Sequence, residues 1–157
     1  MGTVTVEFRV EGDPVGKGRP KFTRSGHTYT PEKTRLYEKK VKQAAWAAMA
    51  KQKLTPATRR VSVILACYFA VPKSWSKRKT LEAQCGLIIP SRPDIDNLAK
   101  SILDGGNEIL WSDDSVVWHL AAFKAYCDEE QEPHVRVKVQ WDDPSVTNQD
   151  HIIPANV

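Results

Sequence analysis

Three aspartates and a lysine crowd the stretch SRPDIDNLAKSILDGG, residues 91–106. Asp94 and Asp96 are separated by one isoleucine; Lys100 follows four residues after Asp96, and Asp104 four residues later. Like charges this close repel, so the pair suits a cation held between them. If the extended geometry imposed before Pro90 and Pro93 persists to Asp96, both carboxylates project to the same side. If a helix begins at Asp94, they diverge by about 200°. Capping free N–H groups at a helix start is a third use for the same two residues.

A second acidic stretch, WSDDS, supplies Asp113 and Asp114. A helix turned back through Gly105-Gly106 brings these residues beside Asp94 and Asp96, so that three or four carboxylate oxygens converge. Hard divalent cations take oxygen ligands. Mg2+ characteristically uses one or two carboxylates, keeps several waters and adds substrate phosphates. Such a cation polarises a phosphodiester, generates a hydroxide nucleophile and offsets charge on the leaving oxygen. Lys100, one turn beyond Asp96, can hold a phosphate oxygen or steady developing charge. Its bland alternative is a surface pair with Asp96 or Asp104, worth about 0.2–0.5 kcal/mol.

The elements that must position these residues follow from hydrophobic period and punctuation. TVTVEFRV alternates, with Val4, Val6, Phe8 and Val10 on one face, and predicts a half-buried strand. A Gly-, Pro-, Lys- and Arg-rich loop follows, with a hairpin around Ser25-Gly26. Thr30-Pro31 predicts a helix start, Thr30 capping, with the helix running to about Lys51 and presenting Leu36, Val41, Ala44, Ala45, Ala48 and Met49 to the core. Residues 59–71 read as a central strand. PKSWSKRKT leads into a short helix ending near Gly86. The acidic stretch predicts a helix over Asp96–Asp104, stopped by the two glycines, with Leu98, Ala99, Ile102 and Leu103 buried. Residues 115–126 read as a second central strand, and HVRVKVQW alternates with its valines and Trp141 inward and His134 outward. The order β-α-β-(α)-α-β-β is one small α/β domain of α+β character. Its mixed sheet has helices packed on it, its last two strands form an antiparallel hairpin, and the domain covers 1–142 with a polar tail at 143–157.

The chain has 157 residues, about one domain's worth. No apolar run approaches the roughly 20 residues of a bilayer span, so no membrane role is expected. The opening residues read as a strand rather than a secretory signal or a lipidation site. Cys67, Cys85 and Cys127 form no CxxC pair, which points to a reduced, cytoplasmic protein without a zinc site. Charge is distributed unevenly. Residues 1–80 hold 18 of the 23 basic and 5 of the 19 acidic residues, a net of +13; residues 81–157 hold 5 and 14, a net of −9. A basic half suits a polyanion, and an acidic half tolerates one when its carboxylates carry metal. The bland alternative is two halves that neutralise each other.

Two basic clusters precede the acidic motif. Lys17, Arg19, Lys21 and Arg24 lie in the first loop; Lys73, Lys77, Arg78 and Lys79 lie beside Trp75. Both are candidates for contacting DNA phosphates, with salt-sensitive binding, though basic runs also serve as solvated faces. Trp75 can stack on a base or pack on its own domain. GDPVGKG is not a P-loop: three residues separate its glycines, and Gly18 replaces the Ser or Thr after the lysine, so no nucleotide cofactor is expected. His27, His119, His134 and His151 show no metal-ligand spacing.

The segment RPDIDNLAKSILDGGNEILWSDDSVV, preceded by VPKSWSKRK, resembles the RusA family of Holliday junction resolvases, especially its phage and prophage members. The likeness runs from about Pro72 through EPHVRVKV, and GKGRP with the helix after it fits more loosely. The resemblance implies a small α/β homodimer that cuts four-way DNA junctions in recombination and repair, with Mg2+ as cofactor and Mn2+ able to substitute. It implies metal and catalytic roles for Asp94, Asp96 and Asp114, a catalytic role for Lys100, and an auxiliary role for Asp113; Asp104 is left to helix-end or supporting duty. The alternatives are a metal nuclease acting on other branched or nicked DNA, and a non-catalytic DNA-binding protein whose aspartates only cap.

Overall fold

Residues 2–146 are described by a computed structural model, so the tail expected at 143–157 lies outside the described residues from 147 onward. Among the described residues the strands and α-helices are β1 (Gly2–Glu11), β2 (Lys21–Phe22), β3 (Thr28–Tyr29), α1 (Glu32–Lys51), β4 (Val61–Phe69), α2 (Lys77–Gln84), α3 (Ile95–Gly106), β5 (Val117–Tyr126) and β6 (His134–Asp143). The main sheet has the order β1-β6-β4-β5, and β2 and β3 form a separate hairpin. Gly26 takes φ +82 at its turn, a left-handed conformation that costs glycine least.

Alternation explains the core. Val4, Val6 and Val10 of β1, Val61, Val63, Leu65 and Cys67 of β4, and Val135, Val137, Val139 and Trp141 of β6 are buried on one face. Helix α1 packs against β1 and α3, and α3 and α2 reach β5. Helix α1 begins with Pro31 in the capping position and no side-chain cap, so Thr30 does not serve as the cap. Its buried stripe is Thr34, Tyr37, Val41, Ala45 and Met49. Leu36, expected inward, is exposed, because the 3.6-residue stripe passes through Tyr37 instead.

Two expectations about the strands are corrected. β6 does not form a hairpin with β5: it pairs antiparallel with both β1 and β4, from Glu11↔His134 to Gly2↔Asp143 and from Tyr68↔His134 to Val61↔Trp141. β5 pairs parallel with β4, through the crossover that contains α2 and α3. The acidic segment after Cys127 therefore carries the chain past the end of β4, and two flanking valine-rich strands outcompete the local hairpin. β5 is consequently an edge strand rather than a central one. Its apolar residues are not interior: Trp118, Leu120 and Phe123 are 60%, 42% and 48% exposed. His134, expected outward, is buried and stacks on Tyr68 with ring centroids 4.8 Å apart.

Helix α3 also extends beyond its expected limits. Gly105 and Gly106 are its last two residues and do not stop it. Both are buried, and a Cβ on Gly105 would lie 2.7 Å from the Val41 Cβ and 3.0 Å from the Glu38 carbonyl oxygen. The glycine therefore lets α3 approach α1 closely. Gly105→Ala is expected to lower stability by roughly 1–3 kcal/mol through overpacking, measured by urea unfolding; an unchanged midpoint would show that α1 yields freely.

Candidate active site

Asp94 occupies the position preceding α3 with extended backbone, φ −65 and ψ 146, and Asp96 lies in the first helical turn. The two carboxylates therefore straddle the extended-to-helical transition. Asp94 makes no side-chain capping bond. Its ion-pair partner is Arg92, at 3.7 Å, with both side chains mostly exposed. Buried carboxylates earn their place through hydrogen bonds; an exposed, uncapped pair stays available to an outside ligand. Asp94 and Asp96 lie on an open surface rather than in a deep cavity, which suits a macromolecular substrate more than a small one.

Asp113 and Asp114 do not join them within one chain. Trp111 is fully buried against Gly106, at the far end of α3, and its indole N–H donates to Asp114 Oδ1 at 2.8 Å. Twelve helical residues span about 18 Å. The chain does reverse after α3, since Lys124 near the end of β5 meets Pro93 at the start of the helix, but Asp114 precedes β5 and so lies at the opposite end of α3 from Asp94. Asp113 accepts from the Ser115 backbone N–H at 3.0 Å and caps the short 3-10 turn Asp114–Val116. Hydrogen bonding from Ser115, side chain and backbone, holds its carboxyl below the usual carboxylate range. Among the described residues, no group of three or more His, Cys, Asp or Glu side chains is arranged to hold a metal ion. The donor chemistry of Asp94 and Asp96 nevertheless fits a hard cation of the Mg2+ type, which needs only one or two carboxylates.

Lys100 pairs with Asp104 Oδ1 at 2.9 Å, while the other oxygen of Asp104 takes Lys17 at 2.9 Å. Lys17 also meets Glu38 at 2.5 Å. Burial pushes the Asp104 carboxyl up, but hydrogen bonds from Lys17 and Lys100 outweigh it, so its pKa lies below the ordinary value. Burial likewise opposes charge on Lys17, and its bonds to Glu38 and Asp104 reverse the sign and raise its pKa. The loop around Lys17 is fastened to both helices. Lys17 N–H donates to the Asn97 carbonyl at 2.8 Å, Gly18 N–H to Thr34 Oγ1 at 3.0 Å, and the buried Ser101 hydroxyl to the Val15 carbonyl at 2.6 Å.

The other basic candidates are free of such ties. Arg19, Lys21 and Arg24 are exposed on the loop and hairpin, and Lys73 and Lys77 are exposed around the start of α2. Arg78 pairs with Glu82 at 3.3 Å across one exposed turn, a weak tie. Lys79 lies 4.0 Å from the centroid of Trp75, whose ring also meets Tyr126 at 5.3 Å. Trp75 thus packs on its own domain and on Lys79.

Sequence reasoning missed Lys124. Its ammonium donates to the carbonyls of Pro93, at 2.9 Å, and Ser91, at 3.2 Å, tying β5 to the backbone that delivers Asp94. The available signal was a single charge in an otherwise apolar strand, VWHLAAFKAY. Lys124→Met is expected to free this segment and lower turnover about tenfold, in line with the cost of misplacing a reacting group, with little change in DNA affinity. A matched loss of affinity and turnover would instead assign Lys124 to the DNA surface.

The sequence is similar to known proteins. The family described as "Endodeoxyribonuclease RusA" matches residues 11–140, a span from the last residue of β1 into β6. A Bacillus subtilis (strain 168) protein named "Uncharacterized protein YqaN" is 35% identical over 141 residues, covering 86% of this chain and 95% of the relative. With the acidic helix start, the lysine one turn on and the second acidic turn all inside the matched span, the chain belongs to the RusA endodeoxyribonuclease family.

Proposed function

We propose that the protein is a divalent-metal-dependent endonuclease that resolves four-way DNA junctions as a homodimer in the cytoplasm, in recombination and repair. The observation that carries this reading is the uncapped, exposed Asp94–Asp96 pair at the start of α3, with Arg92 beside Asp94. A purely structural role would have used Asp94 as a cap. Asp94 and Asp96 would hold Mg2+, or Mn2+ in its place. Bound there, the cation supplies Lewis-acid polarisation of the phosphodiester and a more acidic water. Lys100 offers positive charge to a phosphate oxygen from the same helix face, and Arg19, Lys21, Arg24, Lys73, Lys77, Arg78 and Lys79 grip the arms.

Support for a dimer comes from β5. A long, apolar edge strand with a free outer side invites pairing. Trp118, Leu120 and Phe123 on β5, Ile64 beside them, and Leu87, Ile89 and Ile95 in the neighbouring segment are all exposed. Lys124 is the single charged residue of β5, and its ammonium is already held by the carbonyls of Pro93 and Ser91. Antiparallel pairing of two β5 edges would set the start of one strand beside the end of the other. Asp114 precedes the start; Lys124, holding Pro93 and hence Asp94, is near the end. The third aspartate of each site would then come from the partner. A four-way junction has approximate two-fold symmetry, and a C2 dimer delivers two matched cuts.

Cleavage of a synthetic four-way junction and a linear duplex of equal length, each with and without Mg2+, tests the function. Junction cutting that requires the metal, with the duplex spared, is the expected result. Equal cutting of both substrates would make this a nuclease without junction selectivity, and binding without cutting under every divalent metal would make it a binding protein.

A further inference from the structure

Lys17 sits in the middle of the basic loop, yet its ammonium faces inward. Its side chain is 22% exposed, against 57% for Lys100, and it is shared between Glu38 and Asp104. Two cations and two anions alternate in one chain of contacts: Glu38, Lys17, Asp104, Lys100. The Asp104 carboxylate is the hinge of this chain, with one oxygen on each lysine. A carboxylate serving Lys100 alone would neutralise it and hold it back against the helix. One that also serves Lys17 attracts Lys100 less, and the two lysines repel each other across it.

We infer that Lys17 is a positioning residue for Lys100, acting through Asp104, and not a DNA contact. This rests on the reading above, in which Lys100 offers its charge to a phosphate oxygen. Lys17 is itself located by two helices: its backbone bonds α3 at Asn97, the next residue bonds α1 at Thr34, and Glu38 on α1 takes its ammonium. The first loop therefore links the packing of α1 on α3 to the state of the catalytic lysine. Asp104 and Glu38, each about one-fifth exposed, have an otherwise unexplained role in this arrangement.

The test is Lys17→Met, which keeps the length and removes the charge. Junction turnover at saturating Mg2+ is expected to fall about tenfold, less than the outright loss of an aimed donor, while junction affinity and its salt dependence stay unchanged. Lys17→Arg should restore turnover, and Lys17→Met with Asp104→Asn should recover most of it by releasing Lys100. A readout independent of cleavage is the Lys100 ammonium pKa, followed by NMR with lysine labelled at its side-chain nitrogen. It should rise in Lys17→Met, because Asp104 then serves Lys100 alone and a neighbouring positive charge is gone. A fall in affinity with a salt slope reduced by about one would make Lys17 a phosphate contact and overturn the inference. An unmoved Lys100 pKa in a folded Lys17→Met protein would overturn it also. If the wild-type protein does not cut junctions but the Lys100 pKa moves as described, the coupling stands and the functional reading fails.

Discussion

Asp94→Asn is expected to abolish junction cleavage, by about 10³-fold or more, while leaving junction binding and fold intact. The size follows from the chemistry: a metal-polarised phosphoryl oxygen is worth several kcal/mol of transition-state stabilisation, and about 4 kcal/mol is about 10³ in rate. Asparagine keeps the shape but gives up the charge that holds a cation. Stability should change by no more than about 0.5 kcal/mol, because the side chain is exposed and makes no capping bond to lose. Cleavage assays, junction-binding titrations and urea unfolding on the same preparation check all three statements. Unimpaired cleavage with a stability loss of about 1 kcal/mol would return Asp94 to a helix-capping role.

The second large effect concerns the strand edge. Phe123→Asp should convert a dimer into a monomer and with it cut cleavage by more than about 100-fold. Phe123 lies near the middle of β5, on the face that the helices leave uncovered, and is half exposed, so the substitution adds a charge without opening the core. In a two-fold interface the charge appears twice, and each unpaired buried charge costs about 3–5 kcal/mol. Sedimentation equilibrium of wild type and variant reads the assembly directly, with cleavage measured in parallel. A wild-type protein that sediments as a monomer and still cuts would remove β5 from the account.

Much of this was legible in the residues. The alternation of Val4, Val6 and Val10 and of Val135, Val137 and Val139 foretold two strands with one buried face, and the apolar run at Val61–Phe69 foretold the central one. The acidic residues and the cation chemistry they suit were visible from type and spacing. What escaped depended on tertiary partners. β5 is as apolar as a central strand, yet it lies at the edge, because apolar composition reports a surface to be covered without saying by what. Gly105-Gly106 resembled a helix stop, but a glycine pressed against Val41 serves close packing, and periodicity does not register the approach of a second helix. Lys17 read as one more basic loop residue; its inward direction is set by Glu38 and Asp104, 21 and 87 positions further along the chain. The separation of Asp94 from Asp114 has the same origin: Asp114 precedes β5, and it is the end of that strand, at Lys124, that returns to the start of α3.

That separation makes mixed dimers the most direct test of the claim that each cutting site draws on two chains. Asp94→Asn and Asp114→Asn chains, each inactive alone, should regain activity when co-folded. One of the two sites in the mixed dimer then combines an intact Asp94 with an intact Asp114 from the partner. The predicted result is a junction nicked on one strand only, at roughly half the wild-type rate per mixed dimer. Mixed dimers verified by mass and as inactive as either parent would contradict it, for sites contained within single chains would each carry one lesion.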